Sequence, residues 1–225
     1  MPSFKPRPHI LCVLLGGVDE AGRGAVLGPL VVAGVCLRPD ALTLLRGLGV
    51  RDSKRLTASA RQRLFPLLLR ACVRVEVEEL PPSLVDSYVA GPQGPRGLNR
   101  LEALAMARVI ARLGATRVYV DSPDLRPLRF RRQLREALKS PPRLTVAHHA
   151  DGRYLPVAAA SIVAKVLRDR RLAELRAHGE VGSGYPADPA TRRFLASWLA
   201  RHGNPPPFAR SSWGTLKKLR APRQD

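Results

Sequence analysis

Cysteine is scarce. Cys12, Cys36 and Cys72 are the only three in 225 residues, widely spaced, each within an apolar stretch and none in a CxxC pair. That pattern leaves no thiolate zinc site and reads as small buried hydrophobes in a reducing compartment. Long apolar runs are missing too: MPSFKPRPH leads into only about seven apolar residues without a cleavage signature, and nothing approaches the roughly 20 residues a bilayer requires. A cytoplasmic protein that does not engage a membrane is expected. Acidic residues are few, Asp plus Glu numbering 18 against 38 Lys plus Arg, which gives a formal charge of +20. Such a field attracts polyanions and makes their binding salt-sensitive, so nucleic acid is the leading partner. A noncatalytic basic protein of the ribosomal kind would share that composition, so charge alone names no reaction. No GxxxxGK[ST] occurs, which speaks against a phosphate-binding loop of that type.

What is present suffices for a packed core: 45% of the residues are hydrophobic, and 225 residues make one large domain or a domain with an extension. Residues 10–18 and 28–37 read as buried strands with too few residues between them for a helix, hence a tight reversal and an antiparallel pair. Residues 71–79 alternate as a third, half-exposed strand. Residues 57–70 before it have helical spacing, with Pro66 predicting a kink or early stop. After the loop GPQGPRG an amphipathic helix follows over residues 98–113, then a strand ending at Asp121, a basic helix near residues 130–139 and a strand over residues 144–147. Helices are predicted over residues 157–177 and 189–201. The early strands form a meander and the later strand-helix-strand succession a parallel crossover, so the fold class is α/β, a mixed sheet flanked by helices with a C-terminal helical extension.

Three of these strands finish in carboxylates: GGVDE at Asp19 and Glu20, VYVDS at Asp121, and VAHHAD at Asp151. If the strands are neighbours, four acids converge at one sheet edge. Their mutual repulsion would raise their pKa values unless divalent cations neutralise them, and hard oxygen donors favour Mg²⁺ or Mn²⁺. Successive strand side chains face opposite ways, so Asp19 and Glu20 share a site only if the chain bends between or just beyond them, and the Gly22-Arg23-Gly24 turn is placed to do so. A dinucleotide-binding reading of that turn requires a helix to open there, whereas GPLVVAGV predicts a strand.

These residues resemble the type 2 ribonucleases H, in particular ribonuclease HII of the archaeal kind. The likeness rests on GVDEAGRG with GPLVVAGV, DSKRLT, VYVDSPD, AD followed by RYLPVAAASIVAKVLRDR, GSGYPADPAT and RSSWGTLKKL, which follow in family order along nearly the whole chain. It implies a ribonuclease H-like fold, with residues 1–180 as catalytic domain and residues 181–225 as a substrate-binding helical extension. It further implies a monomer that cleaves the RNA strand of RNA/DNA hybrids and DNA duplexes 5′ of single embedded ribonucleotides. By that resemblance Asp19, Glu20, Asp121 and Asp151 hold two divalent ions, Mg²⁺ or Mn²⁺. Gly22, Arg23 and Gly24 match the turn that contacts the ribose 2′-hydroxyl, Tyr185 the tyrosine under the junction sugar, and Lys54 and Lys165 lie in substrate-binding motifs. Two positions depart from the family pattern: Ala25, where Pro is usual, and Gly97, where Asn is common.

On this reading two ions roughly 4 Å apart would activate water and stabilise the leaving oxygen. Arg and Lys would carry the duplex backbone without reading sequence, leaving selectivity to the 2′-hydroxyl that DNA lacks. Ser161, Lys165 and Asp169 are four apart on one helix face, expected to look at the site. Asp169 is expected in an ion pair with a neighbouring arginine, and Trp198 and Trp213 as packing residues.

Overall fold

The computed structural model describes residues 13–50, 56–92, 94 and 96–220. The apolar runs flanking the acidic pair form two antiparallel strands, β1 (Leu15–Ala21) and β2 (Leu30–Leu37), in register from Leu15↔Leu37 to Ala21↔Val31. On the far side of β2 lies antiparallel β3 (Arg74–Leu80); on the far side of β1 lie β4 (Arg117–Asp121) and β5 (Arg143–Ala147), both parallel to it. The order β3-β2-β1-β4-β5 is the expected mixed sheet.

Every residue of β2 is buried. Val32 and Cys36 join a core completed by α3 (Pro82–Val89), α4 (Arg96–Leu113) and α5 (Pro127–Ala137). Val31, Ala33, Val35 and Leu37 join another, built with α1 (Ala41–Gly47), α2 (Ala58–Ala71) and α6 (Leu155–Glu174). Period-two alternation along one strand thus feeds two helical layers, and each fully buried Val or Leu contributes about 1.5–3 kcal/mol relative to exposure. Cys36 and Cys72 are free thiols, the first buried and the second partly so, and burial raises the pKa of both.

The approach of α6 to β1 is set by glycine. A Cβ on Gly17 would lie 2.0 Å from the carbonyl carbon of Pro156, so only glycine lets the first turn of α6 rest on the strand. That contact brings the polar side chains of α6 up to the acidic end of β1.

After α6 the chain passes through a 3₁₀ turn and forms α7 (Pro189–His202) and α8 (Gly214–Arg220). A third core gathers Val26 and Leu27 from the β1–β2 connection with Leu172, Val181, Phe194, Leu195, Ala209 and Leu216. Backbone bonds tie the same parts: Val26 N–H donates to Gly184 O (2.8 Å), Arg210 N–H donates to Val26 O (2.8 Å), and Leu27 bridges Ala209. The C-terminal residues are therefore fastened to the turn that follows the acidic pair.

Two sequence expectations shift. β1 runs on to Ala21 instead of finishing at Val18, because its pairing with β2 continues after its pairing with β4 has stopped at Val18↔Val120. Pro66 does not end α2, which begins at an N-cap where Thr57 Oγ1 accepts from Ala60 N–H (3.2 Å) and continues to Ala71. Pro66 is exposed, so the carbonyl it leaves without an amide partner meets water. The short helices α1, α3 and α8 are additions to the sequence reading.

Candidate active site

Strands β1, β4 and β5 point the same way, so their carboxyl ends share one edge of the sheet. Asp19 and Glu20 lie in the last three residues of β1, Asp121 is the last residue of β4, and Asp151 sits in the 3₁₀ turn Ala150–Gly152 that follows β5. The pairing of β1 with β4 stops at Val18 and Val120, and Asp19, Glu20 and Asp121 follow on the separated ends, near enough to act on one another. The chain runs straight through Asp19 and Glu20 and bends just beyond them, where Gly22 takes φ 88° at the start of the Gly22-Arg23-Gly24 turn. Asp121 Oδ1 accepts from Ala150 N–H (2.7 Å), which joins the end of β4 to the turn carrying Asp151. His149 opens that turn in the left-handed conformation, φ 52°.

The acids are withdrawn from water: Asp19 is 5% exposed and Asp151 3%. Burial first, then the charge of Asp121, pushes the Asp19 carboxyl up to about 7, while hydrogen bonds from Ser161 and Glu20 N–H and the charge of Lys165 pull it back. Glu20 is raised well above its ordinary value by burial and by Asp19 and Asp121, with Arg23 opposing. One oxygen of Glu20, Oε2, is buried without a hydrogen-bond partner. Among the described residues, no three His, Cys, Asp or Glu side chains already form a ligand shell for one ion. Asp19 and Glu20 thus sit close enough to each other and to Asp121 to resist ionising.

Beside it lies a cleft of about 410 Å³ lined by Glu20, the Gly22-Arg23-Gly24 turn, Lys165 and Tyr185, with Arg61, Arg168 and Asp169. Gly22 has φ 88°, and Ala25 N–H donates to Gly22 O (3.2 Å) to close the turn. A proline at residue 25 would have no N–H to give, so Ala25 supplies a bond that the usual family residue lacks. Gly97 has a steric reason of its own: a Cβ there would fall 2.0 Å from Tyr88 O. Lys165 Nζ donates to Ser161 Oγ (2.9 Å), so Ser161 links the lysine to Asp19 as the four-residue spacing predicts. Lys54 lies outside the described residues.

Several residues in and around the cleft are not singled out as site residues by the sequence. Arg168 is buried, donates to Ser183 O (2.7 Å) and lies 4.6 Å from the Tyr185 ring centroid, fixing the loop that presents the tyrosine. Arg61, from α2, pairs with Asp169 at 3.5 Å, and Arg168 meets the same carboxylate at 3.4 Å. Trp213 packs on the third core as expected, but its Nε1–H also donates to Gly24 O (3.3 Å). Arg210, fully buried, donates to Arg23 O (2.8 Å) and Gly28 O (3.3 Å) and so spans the turn.

With this geometry in place, comparison with known proteins is decisive. The family model for ribonuclease HII matches residues 16–216. The chain belongs to the ribonuclease HII family. It is 44% identical over 209 residues to the ribonuclease HII of Cenarchaeum symbiosum, covering 93% of this chain and 99% of that one. The crystal structure of ribonuclease H2 from Pyrococcus horikoshii superposes with a TM-score of 0.84 at 37% identity, covering 92% of this chain and 97% of that one. The ribonuclease HII of Archaeoglobus fulgidus, solved in complex with PCNA, gives 0.83 at 40% identity, with 93% and 98% covered. These matches bear out the expected ribonuclease H-like sheet, and family membership indicates a type 2 ribonuclease H, an endonuclease acting on RNA/DNA hybrids. Among the described residues no helix is long and apolar enough to cross a membrane.

Proposed function

We propose that this chain hydrolyses the RNA strand of RNA/DNA hybrids and also cuts duplex DNA on the 5′ side of a single embedded ribonucleotide, leaving 3′-hydroxyl and 5′-phosphate ends. The observation that carries the reading is the convergence of Asp19, Glu20 and Asp121 where β1 parts from β4, beside a cleft walled by the Gly22-Arg23-Gly24 turn and Tyr185.

The donor set fits divalent ions. Carboxylate oxygens are hard donors suited to Mg²⁺ or Mn²⁺, and both the raised pKa values and the unpartnered Glu20 Oε2 mark a cluster that lacks positive charge. Asp19, Glu20, Asp121 and Asp151 would hold two such ions, which when bound supply Lewis acidity for phosphodiester hydrolysis. Lys165 and Ser161 orient Asp19 from one side, and the Ala150 amide fixes Asp121 from the other. At Gly24 the main chain is exposed and carries no side chain, which lets a ribose 2′-hydroxyl approach it, while Gly22 is packed behind it against Pro29 and Arg168. Tyr185 stands next to the turn: its Cε1 is 4.0 Å from where a Gly24 side chain would begin, a distance suited to a sugar lying against both. Arg61, Lys165 and Arg168 give the cleft the positive charge a phosphate backbone needs. In this reading the C-terminal extension from residue 181 takes part in binding by delivering Tyr185, Arg210 and Trp213 to the turn.

The test is cleavage mapping on a duplex containing one ribonucleotide. With Mg²⁺ present, a single cut 5′ of that nucleotide is expected, and the all-DNA duplex stays intact. A noncatalytic nucleic-acid binder would give salt-sensitive binding and uncut substrate. A cut on the 3′ side would be equally contrary.

A further inference from the structure

The side chain of Arg23 does not reach freely into the cleft. Its guanidinium forms an ion pair with Glu102 and donates to Asn99 Oδ1 (2.8 Å), both on α4, on the side of the sheet away from α6. Glu102 is completely buried, and its second oxygen, Oε1, is buried without a hydrogen-bond partner. Asn99 in turn donates to Asp124 Oδ2 (3.1 Å), which Arg129 holds through both carboxylate oxygens at 2.8 Å.

A buried carboxylate with one unpartnered oxygen is costly, and an apolar residue in the middle of α4 would pack there without that cost. Packing therefore does not account for Glu102. What it does is hold the middle residue of a turn whose flanking glycines have no side chains to anchor it. Arg23 is fastened at two points, its carbonyl by Arg210 and its guanidinium by Glu102 and Asn99. We propose that Glu102 is a positioning residue: by fixing Arg23 it sets the Gly22-Arg23-Gly24 main chain in the one arrangement that accepts a ribonucleotide, so it governs substrate binding and selectivity without touching substrate. The inference rests on the proposed role of that turn.

The experiment compares steady-state cleavage of a duplex containing one ribonucleotide by wild type, Glu102→Gln, Arg23→Ala and the double variant. Glutamine keeps the shape and one acceptor while removing the charge. Glu102→Gln is expected to raise KM about tenfold with kcat held within about threefold, because the turn is loosened while the acids stay in place. The double variant should be no worse than Arg23→Ala alone, since both changes remove one interaction. Thermal melting of each variant reports folding separately, and Arg23→Ala, at a partly exposed side chain, provides a KM reading even if Glu102→Gln folds poorly. Wild-type KM in Glu102→Gln or Arg23→Ala, additive losses in the double variant, or a fall in kcat at constant KM would overturn the role of Glu102. Uncut substrate with wild type would instead defeat the nuclease reading on which it rests.

Discussion

Asp121→Asn is expected to lower metal-dependent cleavage on the order of a thousandfold, the loss of roughly 4 kcal/mol of transition-state stabilisation that an ion's charge supplies. The substitution separates chemistry from folding. Asparagine keeps an oxygen able to accept from Ala150 N–H, so the joint between β4 and the Asp151 turn survives. What disappears is a negative charge that acts on both Asp19 and Glu20. Melting should be unchanged or slightly improved, because one source of repulsion has gone, while single-turnover cleavage collapses. Cleavage at the wild-type rate would remove Asp121 from the proposed ligand set.

The second expectation concerns the protein without divalent ions. Folded Asp19 releases its proton near pH 7, against an ordinary value of 3.8, so between those limits the folded chain binds more protons than the unfolded one. Stability then falls as pH rises across that window and levels off above it. Glu20 acts in the same direction. Asp188, depressed to about 2 by bonds from Ser183 and Ala190, contributes stability lost only at much lower pH and does not offset the trend. The metal-free melting temperature should therefore drop on the order of 10 °C between pH 5 and pH 8. Added Mg²⁺ should restore most of that at pH 8 and little at pH 5, where Asp19 is already protonated. A metal-free melting temperature that is flat or rises over this range would show that the acids do not repel one another as described.

Much of this site is legible in the sequence because its acids terminate apolar runs. A buried strand that stops at a carboxylate places that carboxylate at a sheet edge, so the sequence implies that Asp19, Glu20 and Asp121 meet if their strands are neighbours running the same way, as β1 and β4 do. Asp151 follows a strand by a short turn and could be placed with them. The spacing of Ser161 and Lys165 on one helix face was legible for the same reason, being a consequence of helical period alone. What could not be read are the contacts that cross the fold. Glu102 is 79 residues from Arg23, and Arg210 is 187 residues from it. Neither lies in a pattern that periodicity exposes, and buried charged residues look like surface charge until the chain is folded. The extension of β1 to Ala21 is hidden for a related reason: a carboxylate reads as the end of a buried strand, yet here antiparallel pairing with β2 carries the strand onward after its pairing with β4 has stopped.

Mn²⁺ uptake, followed by the loss of its free-ion magnetic resonance signal, is the most direct measurement on the acid cluster, comparing wild type with Asp19→Asn at pH 8. Saturable binding by wild type, weakened at least about tenfold in Asp19→Asn and weakened likewise when wild type is taken to pH 5, is the expected result. Equal binding by the two proteins, or none by either, would contradict the assignment of these buried carboxylates as ion ligands.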